Sequence, residues 1–195
     1  MKQRIAEIKR KTKETDIRIK LNLDRKVKGK INTSIPFFDH MLTLFAYHSG
    51  IGLEVRASGD TEIDDHHLAE DMGITLGKAL DKALGSRKGI NRYGNFLLPM
   101  DEALSYIAID ISGRPYLDYK VRFRAQKHGF DFELLQEFFY ALAINSKITL
   151  HMSLIKGRNN HHMSESIFKG FGRALAEAVS ISKRSKTVPS TKGSI

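Results

Sequence analysis

The sequence contains no cysteine and no tryptophan among its 195 residues. Without cysteine there are no disulfide bonds, no thiolate metal ligands and no cysteine nucleophile, so any metal must be bound through nitrogen and oxygen atoms. No apolar run approaches the ~20 residues that cross a membrane as a helix, and the first residues are charged where a signal peptide has an apolar segment. We therefore expect a cytoplasmic protein with no membrane partner.

Acidic residues are fewer than basic ones, 22 against 32, which gives a formal net charge of +10. This charge favours anionic partners, whether nucleic acid, a membrane surface or a phosphorylated small molecule, and does not choose among them. Much of the excess lies in residues 2–13 and at Lys183, Arg184, Lys186 and Lys192. Solvated, solubilising termini explain those charges equally well.

Hydrophobic periodicity divides the chain into two similar series of elements. In the first half, the pattern predicts strands at 16–23, 30–35 and 52–57 and helices at 37–48 and 66–84. In the second half, it predicts strands at 103–111, 116–123 and 148–155, a helix at 132–144 and a helix beginning at His161. Both halves therefore have the same order of strands and helices.

The repetition extends to individual residues, because HHLAEDMGITLGKALDKAL from His66 aligns with HHMSESIFKGFGRALAEAV from His161. If two residues of the loop before His66 are left out of this alignment, His40 aligns with Glu137. Two such halves bury their helices against each other, which predicts a duplicated α+β fold with helices between two sheets. The predicted units are a first repeat at 1–92, a second at 93–185 and a tail at 186–195.

Each half carries the motif His-His-x-x-Glu at the start of a helix. Residues four apart share a helix face, whereas adjacent residues point about 100° apart, so the first histidine and the glutamate can bind one ion and the second histidine another. The predicted sites are His40, His66, Glu70 and His162 for one metal, and His67, Glu137, His161 and Glu165 for the other. A single histidine at a helix start is more often a cap or a packing residue, but the duplicated motif favours open, catalytic metal sites.

Other polar residues give a weaker signal. Arg92, Arg114 and Lys169 are suited to binding an anion, and Ser190 and Lys192 in the tail resemble a small phosphate clip. From spacing alone, surface charges and a polar tail explain these residues at least as well.

The motifs around these residues are long and cover nearly the whole chain. They are FFDHMLTLFAYHSG, GDTEIDDHHLAEDMG, RYGNFLLPMDEAL, DISGRPYL, ITLHMSLIKGRNNHHMSESIFKGFGRAL and PSTKG. Together they resemble the imidazoleglycerol-phosphate dehydratase family. The resemblance implies a hydro-lyase of histidine biosynthesis, halves like domain 2 of ribosomal protein S5, two mixed sheets, and a homo-oligomer of about 24 subunits with active sites between subunits.

The resemblance also implies roles for individual residues. The metal ligands are His40, His66, His67, Glu70, His161, His162 and Glu165, with the last position at Glu137, where some members carry histidine. Glu14 and His48 contact the substrate, and Arg92, Arg114, Lys169, Ser190 and Lys192 bind its phosphate. Two Mn²⁺ ions are implied as Lewis acids for dehydration of imidazole glycerol phosphate to imidazole acetol phosphate, through an imidazolate and a diazafulvene-type intermediate. Glu14, His48 and Glu165 are the candidates for moving protons.

Two further hypotheses come from other functional classes. A basic α+β domain could bind RNA, although the sequence lacks basic and aromatic residues interleaved on one strand. A metal-storage shell would also use the paired histidines, and it predicts assembly without turnover. No phosphatase domain of the kind fused to this enzyme in some organisms is recognised, so we expect one activity and no nucleic-acid partner.

Overall fold

The computed structural model of the chain describes residues 3–25, 29–182 and 186–195. Lys2, Lys183, Arg184 and the predicted repeat boundary at residue 185 lie outside the described residues. The elements are β1 (Ile5–Lys11), β2 (Thr15–Asn22), β3 (Ile31–Asn32), α1 (Pro36–Ser49), β4 (Gly52–Gly59), α2 (His66–Leu84), β5 (Tyr93–Met100), β6 (Ala103–Asp110), β7 (Tyr116–Lys120), α3 (Leu134–Ser146), β8 (Thr149–Lys156) and α4 (Asn160–Val179).

The strands form two four-stranded sheets with the same topology, in the orders β1-β2-β4-β3 and β5-β6-β8-β7. Each sheet is mixed, because two of its strand pairs are antiparallel whereas β3 runs parallel to β4 and β7 parallel to β8. The registers also correspond, since Leu21 pairs with Leu53 and Ile109 pairs with Leu150. The predicted duplication and the α+β class are therefore confirmed.

The four helices lie between the sheets. Ile17, Ile19 and Leu21 alternate along β2 with exposed residues and are at most 1% exposed, so one face of the first sheet enters the core. Helix α2 packs on β1 and β2, and α4 packs on β5 and β6. Each also packs on a helix of the other half, α2 on α3 and α4 on α1. The predicted sandwich is confirmed.

Glycines permit the close approach of these helix pairs. A Cβ atom on Gly77 of α2 would lie 2.7 Å from the carbonyl oxygen of Leu142 in α3. In the other pair, a Cβ on Gly172 of α4 would lie 2.9 Å from the carbonyl oxygen of Phe45 in α1. Gly77 aligns with Gly172, and Phe45 with Leu142, so the same contact occurs twice and relates the halves by an approximate twofold axis.

Paired helices point in the same direction, because His40 lies beside Glu165 near the starts of α1 and α4, and Phe45 lies beside Gly172 further along. The N-termini of α1 and α4 therefore lie side by side, and His40 lies next to the motif residues of α4. Asn159 caps α4 by accepting a hydrogen bond from the His161 backbone nitrogen (2.8 Å), and before α2 Asp64, which precedes the N-cap Asp65, accepts one from the His66 backbone nitrogen (2.8 Å).

Two strands were not predicted from the pattern. Residues 5–11, whose charges a solubilising terminus explains equally well, form the edge strand β1: Ala6 is only 2% exposed, and Arg10 faces the core side and pairs with the buried Asp71 at 2.8 Å. Strand β5 contains Gly94, where a side chain would collide with the backbone of Ala174 in α4, so the strand packs closely on that helix. No described helix is both long and apolar enough to cross a membrane.

Candidate active site

Three side chains converge where α1 and α4 begin. The Nε2 atom of His40 lies 2.9 Å from Oε1 of Glu165, and Nε2 of His161 lies 3.0 Å from the same oxygen. All three donor atoms lie within 4.8 Å of one another, although His40 and Glu165 are 125 residues apart in the sequence. Both imidazoles are exposed at one side of the cluster and Glu165 is buried beneath them.

The donor atoms have the spacing that an octahedral metal ion requires. Metal-to-nitrogen and metal-to-oxygen bonds of about 2.1 Å at right angles place neighbouring donors about 3.0 Å apart. The two separations from Glu165, 2.9 and 3.0 Å, match that value. The set contains imidazole and carboxylate donors and no sulfur, so these residues could hold a divalent transition-metal ion.

Glu165 is anchored from its other side. Its Oε2 accepts a hydrogen bond from Nζ of Lys169, one helical turn later, at 2.6 Å. Burial of Glu165 opposes its ionisation, but hydrogen bonds from Lys169, His40 and His161 outweigh burial and lower the pKa of Glu165 to about 2. The carboxylate is therefore negatively charged at neutral pH, which is the state that binds a cation.

Within one chain, His40 lies with other residues than the sequence hypothesis grouped with it. That hypothesis placed His40 with His66, Glu70 and His162, whereas the structure places it with His161 and Glu165. His66 and Glu70 are exposed on α2, and Glu137 is half-buried on α3, the helix beside it. Within residues 3–25, 29–182 and 186–195, those three do not form a second cluster of this compactness.

The second histidine of each motif contacts a carboxylate through Nδ1. The distances are 3.1 Å from His67 to Oδ2 of Asp60 and 2.8 Å from His162 to Oε2 of Glu102. The hydrogen bond to Asp60 raises the pKa of His67, and the hydrogen bond to Glu102 raises that of His162. The same contact with His162, together with backbone donors that include Asn159, lowers the pKa of Glu102 to about 2.

The two residues predicted to contact substrate lie on different elements. Glu14 is exposed in the turn between β1 and β2, and its carbonyl oxygen accepts a hydrogen bond from Asp60 at 3.1 Å. Its negative charge contributes to the raised pKa of His67, so Glu14 lies beside the first motif. His48 lies in the last turn of α1, about 12 Å along the helix from His40.

Two of the predicted phosphate-binding residues, Arg92 and Arg114, form a separate group around Asp110. Arg92 donates to both carboxylate oxygens of Asp110, at 2.7 and 3.1 Å, and Arg114 approaches it at 4.0 Å. Arg92 also donates to the carbonyl oxygen of Pro189 at 2.9 Å, which fixes the tail next to Ser190. A cavity of about 410 Å³ adjoins the tail and is lined in part by Lys88 and Ser190.

Lys192 is exposed on this tail, whereas Lys169 belongs to the metal-ligand cluster and not to the Asp110 group. The two groups lie at opposite ends of α4. The backbone nitrogen of Arg92 donates to the carbonyl oxygen of Ala178, which is about 20 Å along the helix from Glu165 at 1.5 Å per residue.

A sequence model of the family described as imidazoleglycerol-phosphate dehydratase matches residues 33–175, more than half of the chain. The chain is also 64% identical over 193 residues to a protein of that name from Endomicrobium trichonymphae, with 99% of both chains covered. The chain belongs to the imidazoleglycerol-phosphate dehydratase family. The predicted family is confirmed, and with it the enzyme class, a dehydratase and hence a hydro-lyase.

Solved structures of the family have the same fold. The imidazoleglycerol-phosphate dehydratase of Staphylococcus aureus superposes with a TM-score of 0.83 at 42% identity, covering 91% of this chain and 99% of that one. The enzyme from Pyrococcus furiosus, solved in complex with (S)-C348, gives 0.84 at 41% identity, covering 96% and 100%. The arrangement of two sheets and four helices is therefore that of the imidazoleglycerol-phosphate dehydratases.

Sequence reasoning about this dehydratase missed three carboxylates: Asp60, Glu102 and Asp110. Asp60 directly follows β4, Glu102 lies in the turn between β5 and β6, and Asp110 ends β6. All three lie within the motifs that carry the family resemblance, GDTEIDDHHLAEDMG, RYGNFLLPMDEAL and DISGRPYL. Their position at strand ends and turns was the available signal, because polar side chains there are directed to the ends of a sheet where sites form.

Proposed function

We propose that this chain removes water from imidazole glycerol phosphate to give imidazole acetol phosphate, as a step of histidine biosynthesis, with two Mn²⁺ ions bound per active site. The observation that carries the proposal is the cluster of His40, His161 and Glu165, which has metal-ligand spacing in a chain of this family. The cytoplasmic location stays a prediction.

The proposed ligands of the two ions are His40, His66, His67, Glu70, Glu137, His161, His162 and Glu165. Bound divalent ions would supply Lewis acidity toward the imidazole ring of the substrate. Lys169 keeps the second oxygen of Glu165 occupied, so Oε1 is the oxygen directed at the ion. A cavity of about 440 Å³ beside His161, lined by Phe37 and Arg158 among others, leaves room for substrate next to this cluster.

Glu14 is the proposed proton carrier. Glu165, the other carboxylate proposed to move protons, is engaged at both oxygens, by His40 and His161 at Oε1 and by Lys169 at Oε2, whereas Glu14 is exposed. Glu14 is exposed beside His67, so its carboxylate is accessible to a substrate ring held by the first motif. His48, two turns from His40, is proposed to hold the substrate chain.

The phosphate is proposed to bind Arg92, Arg114, Ser190 and Lys192, with Lys169 reaching it from the metal end. Ring nitrogen and phosphorus of the substrate are separated by about seven bonds, or roughly 10 Å. The Asp110 group and Glu165 of one chain are about 20 Å apart along α4. One substrate therefore cannot reach both groups of the same chain, which supports the proposal of a homo-oligomer with active sites between subunits.

Metal removal tests the function. The chain is treated with a chelator, divided, and reloaded with Mn²⁺ or left metal-free, and formation of the ketone product from imidazole glycerol phosphate is measured. We expect turnover with manganese, none without it, and about two ions per chain by metal analysis. A fully loaded chain that forms no ketone would overturn the dehydratase proposal, and metal-dependent assembly without turnover would favour a storage shell.

A further inference from the structure

Two carboxylates that are not proposed metal ligands contact the second histidine of each motif, His67 and His162. Asp60 reaches Nδ1 of His67 and Glu102 reaches Nδ1 of His162, at 3.1 and 2.8 Å. In both rings Nδ1 is occupied, so the nitrogen left for an ion is Nε2. A metal-binding histidine ordinarily has its other ring nitrogen hydrogen-bonded in this way.

Glu102 is itself fixed by the backbone. Its Oε1 accepts hydrogen bonds from the backbone nitrogens of Arg158 (3.1 Å) and Asn159 (2.8 Å), while Oε2 is left for His162. Arg158 and Asn159 immediately precede α4. The side chain therefore joins the β5–β6 turn to the start of the helix that carries His162, and it cannot rotate away without leaving two backbone donors without their acceptor.

The duplication gives Glu102 a counterpart in the first half. Ile19 pairs with Val55 as Ile107 pairs with Met152, so these positions are equivalent. Five residues before Ile19 is Glu14, and five residues before Ile107 is Glu102. The same hairpin turn therefore carries a glutamate in each half, but Glu102 is bonded to a motif histidine whereas Glu14 is exposed.

The first half obtains its carboxylate from another element. Asp60 lies five residues after Val55, and the residue five after Met152 is Gly157. A Cβ at Gly157 would collide with the side chain of Met163, so a carboxylate there would require Met163 to move. Asp60 therefore bonds to the second motif histidine of the first half as Glu102 does in the second half. Glu14, the counterpart of Glu102, does not have this role.

We propose that Asp60 and Glu102 are positioning residues, which hold His67 and His162 with Nδ1 bonded and Nε2 directed at the metal ions. This inference rests on the proposed function, because it assumes that the two histidines are ligands. It also explains why Glu14, and not its counterpart Glu102, is available to the substrate.

Metal affinity separates positioning from simple structural support. Glu102→Ala and Glu102→Gln are compared with wild type for Mn²⁺ dissociation constant, and for thermal unfolding with chelator present. We expect Glu102→Ala to weaken manganese binding about 10- to 100-fold. Glu102→Gln keeps one acceptor oxygen where Glu102 uses two, so it can serve either His162 or the two backbone donors, and we expect an affinity no better than intermediate. Asp60→Ala should weaken binding in the same way through His67, and Asp60→Asn should bind better than Asp60→Ala.

Glu62→Ala is the matched control, because Glu62 is an exposed carboxylate in the same loop as Asp60. It should change neither affinity nor stability. Alanine variants that bind manganese as tightly as wild type would overturn the positioning proposal while leaving the proposed function intact. Asp60 needs only one acceptor oxygen for His67, so an Asp60→Asn variant no better than Asp60→Ala would also overturn it, and a folded wild-type chain that binds no manganese would overturn both.

Discussion

At the scale of single residues, two equivalent glutamates have diverged in environment. Glu102 accepts hydrogen bonds from His162, Arg158 and Asn159, whereas Glu14 is exposed beside the first motif. A carboxylate with fixed partners has a low pKa and a fixed position, which suits support of a ligand. An exposed carboxylate can approach a substrate and exchange a proton with it.

Replacing Glu14 with glutamine tests this division. Glu14→Gln removes the proton-carrying group and retains the size of the side chain. We expect manganese content equal to wild type and a turnover number lower by about 10²- to 10⁴-fold. Lys13→Gln, a change in the same turn, is the control and should retain turnover. Full activity in Glu14→Gln would remove this residue from the mechanism.

A second residue-scale prediction concerns acid stability. Asp24 accepts two side-chain hydrogen bonds and one backbone hydrogen bond from Arg4, at 2.7 to 2.9 Å. Burial favours the neutral carboxyl, but the bonds from Arg4 outweigh it and lower the pKa of Asp24. The stabilisation is therefore fully present above the ordinary aspartate pKa of about 3.9 and is lost as the pH falls through the lower folded-state pKa.

The measurement is the free energy of unfolding of metal-free wild type and Asp24→Asn as a function of pH. The difference between them should be constant above pH about 5 and should shrink at lower pH. Asp16→Asn removes only an exposed ion pair with Lys11 and should have almost no effect. An Asp24→Asn difference that does not change with pH would contradict the prediction.

At the scale of elements, the helix pairs depend on backbone contact across the approximate twofold axis. Gly77 faces the carbonyl oxygen of Leu142, and Gly172 faces that of Phe45, at separations too short for a Cβ atom. Gly170, on the same helix as Gly172, instead faces the side chain of Ile107, where a Cβ would lie 3.1 Å from Cγ1. A side chain can shift where a helix backbone cannot.

Alanine should therefore lower the free energy of unfolding at Gly77 and Gly172 but not at Gly170. Helix propensity favours alanine over glycine by about 1 kcal/mol at each position. At Gly77 and Gly172 the collision should exceed this gain and reduce the free energy of unfolding by about 1–3 kcal/mol. Gly170→Ala should be neutral or slightly stabilising. Denaturant unfolding of the metal-free variants measures this, and equal changes at all three positions would contradict the role of backbone contact.

At the scale of the whole molecule, the ligand cluster and the Asp110 group lie at opposite ends of α4. The proposed substrate is shorter than this separation, and in the proposed assembly the ligand end of one subunit and the arginine end of another would form one site. A prediction about mixed assemblies follows from this arrangement.

Glu165→Gln and Arg114→Ala each damage one end, and Arg114 is suited to replacement because its side chain is 70% exposed. Chains that carry either change alone should be nearly inactive. Co-expressed in equal amounts, they should regain about a quarter of wild-type activity, because each site draws its two ends independently from different subunits. The control is a mixture of chains that carry both changes with chains that carry neither change. No recovery in the mixture would contradict sites shared between subunits.

The sequence by itself determined the local features and the family. The 3.6-residue and two-residue periods determined most helices and strands, since they record which face of an element is buried. The repeated His-His-x-x-Glu motif predicted metal ligands, because positions four apart share a helix face. Strands β1 and β5 were not predicted, because their sequences lack a clear two-residue period. β1 lies at the edge of its sheet, and β5 contains a glycine that lets it pack closely on α4.

Which distant side chains meet depends on the packing of the elements in three dimensions. Spacing along the chain placed His40 with the first motif, but the packing of α1 on α4 places it beside His161 and Glu165. Asp60 and Glu102 reach equivalent histidines from elements that are not equivalent. The separation of Arg92 from the ligand cluster likewise depends on the direction of α4. Such contacts depend on how whole elements pack. The hydrophobic period of a sequence shows which side chains are buried but not which residues cover them.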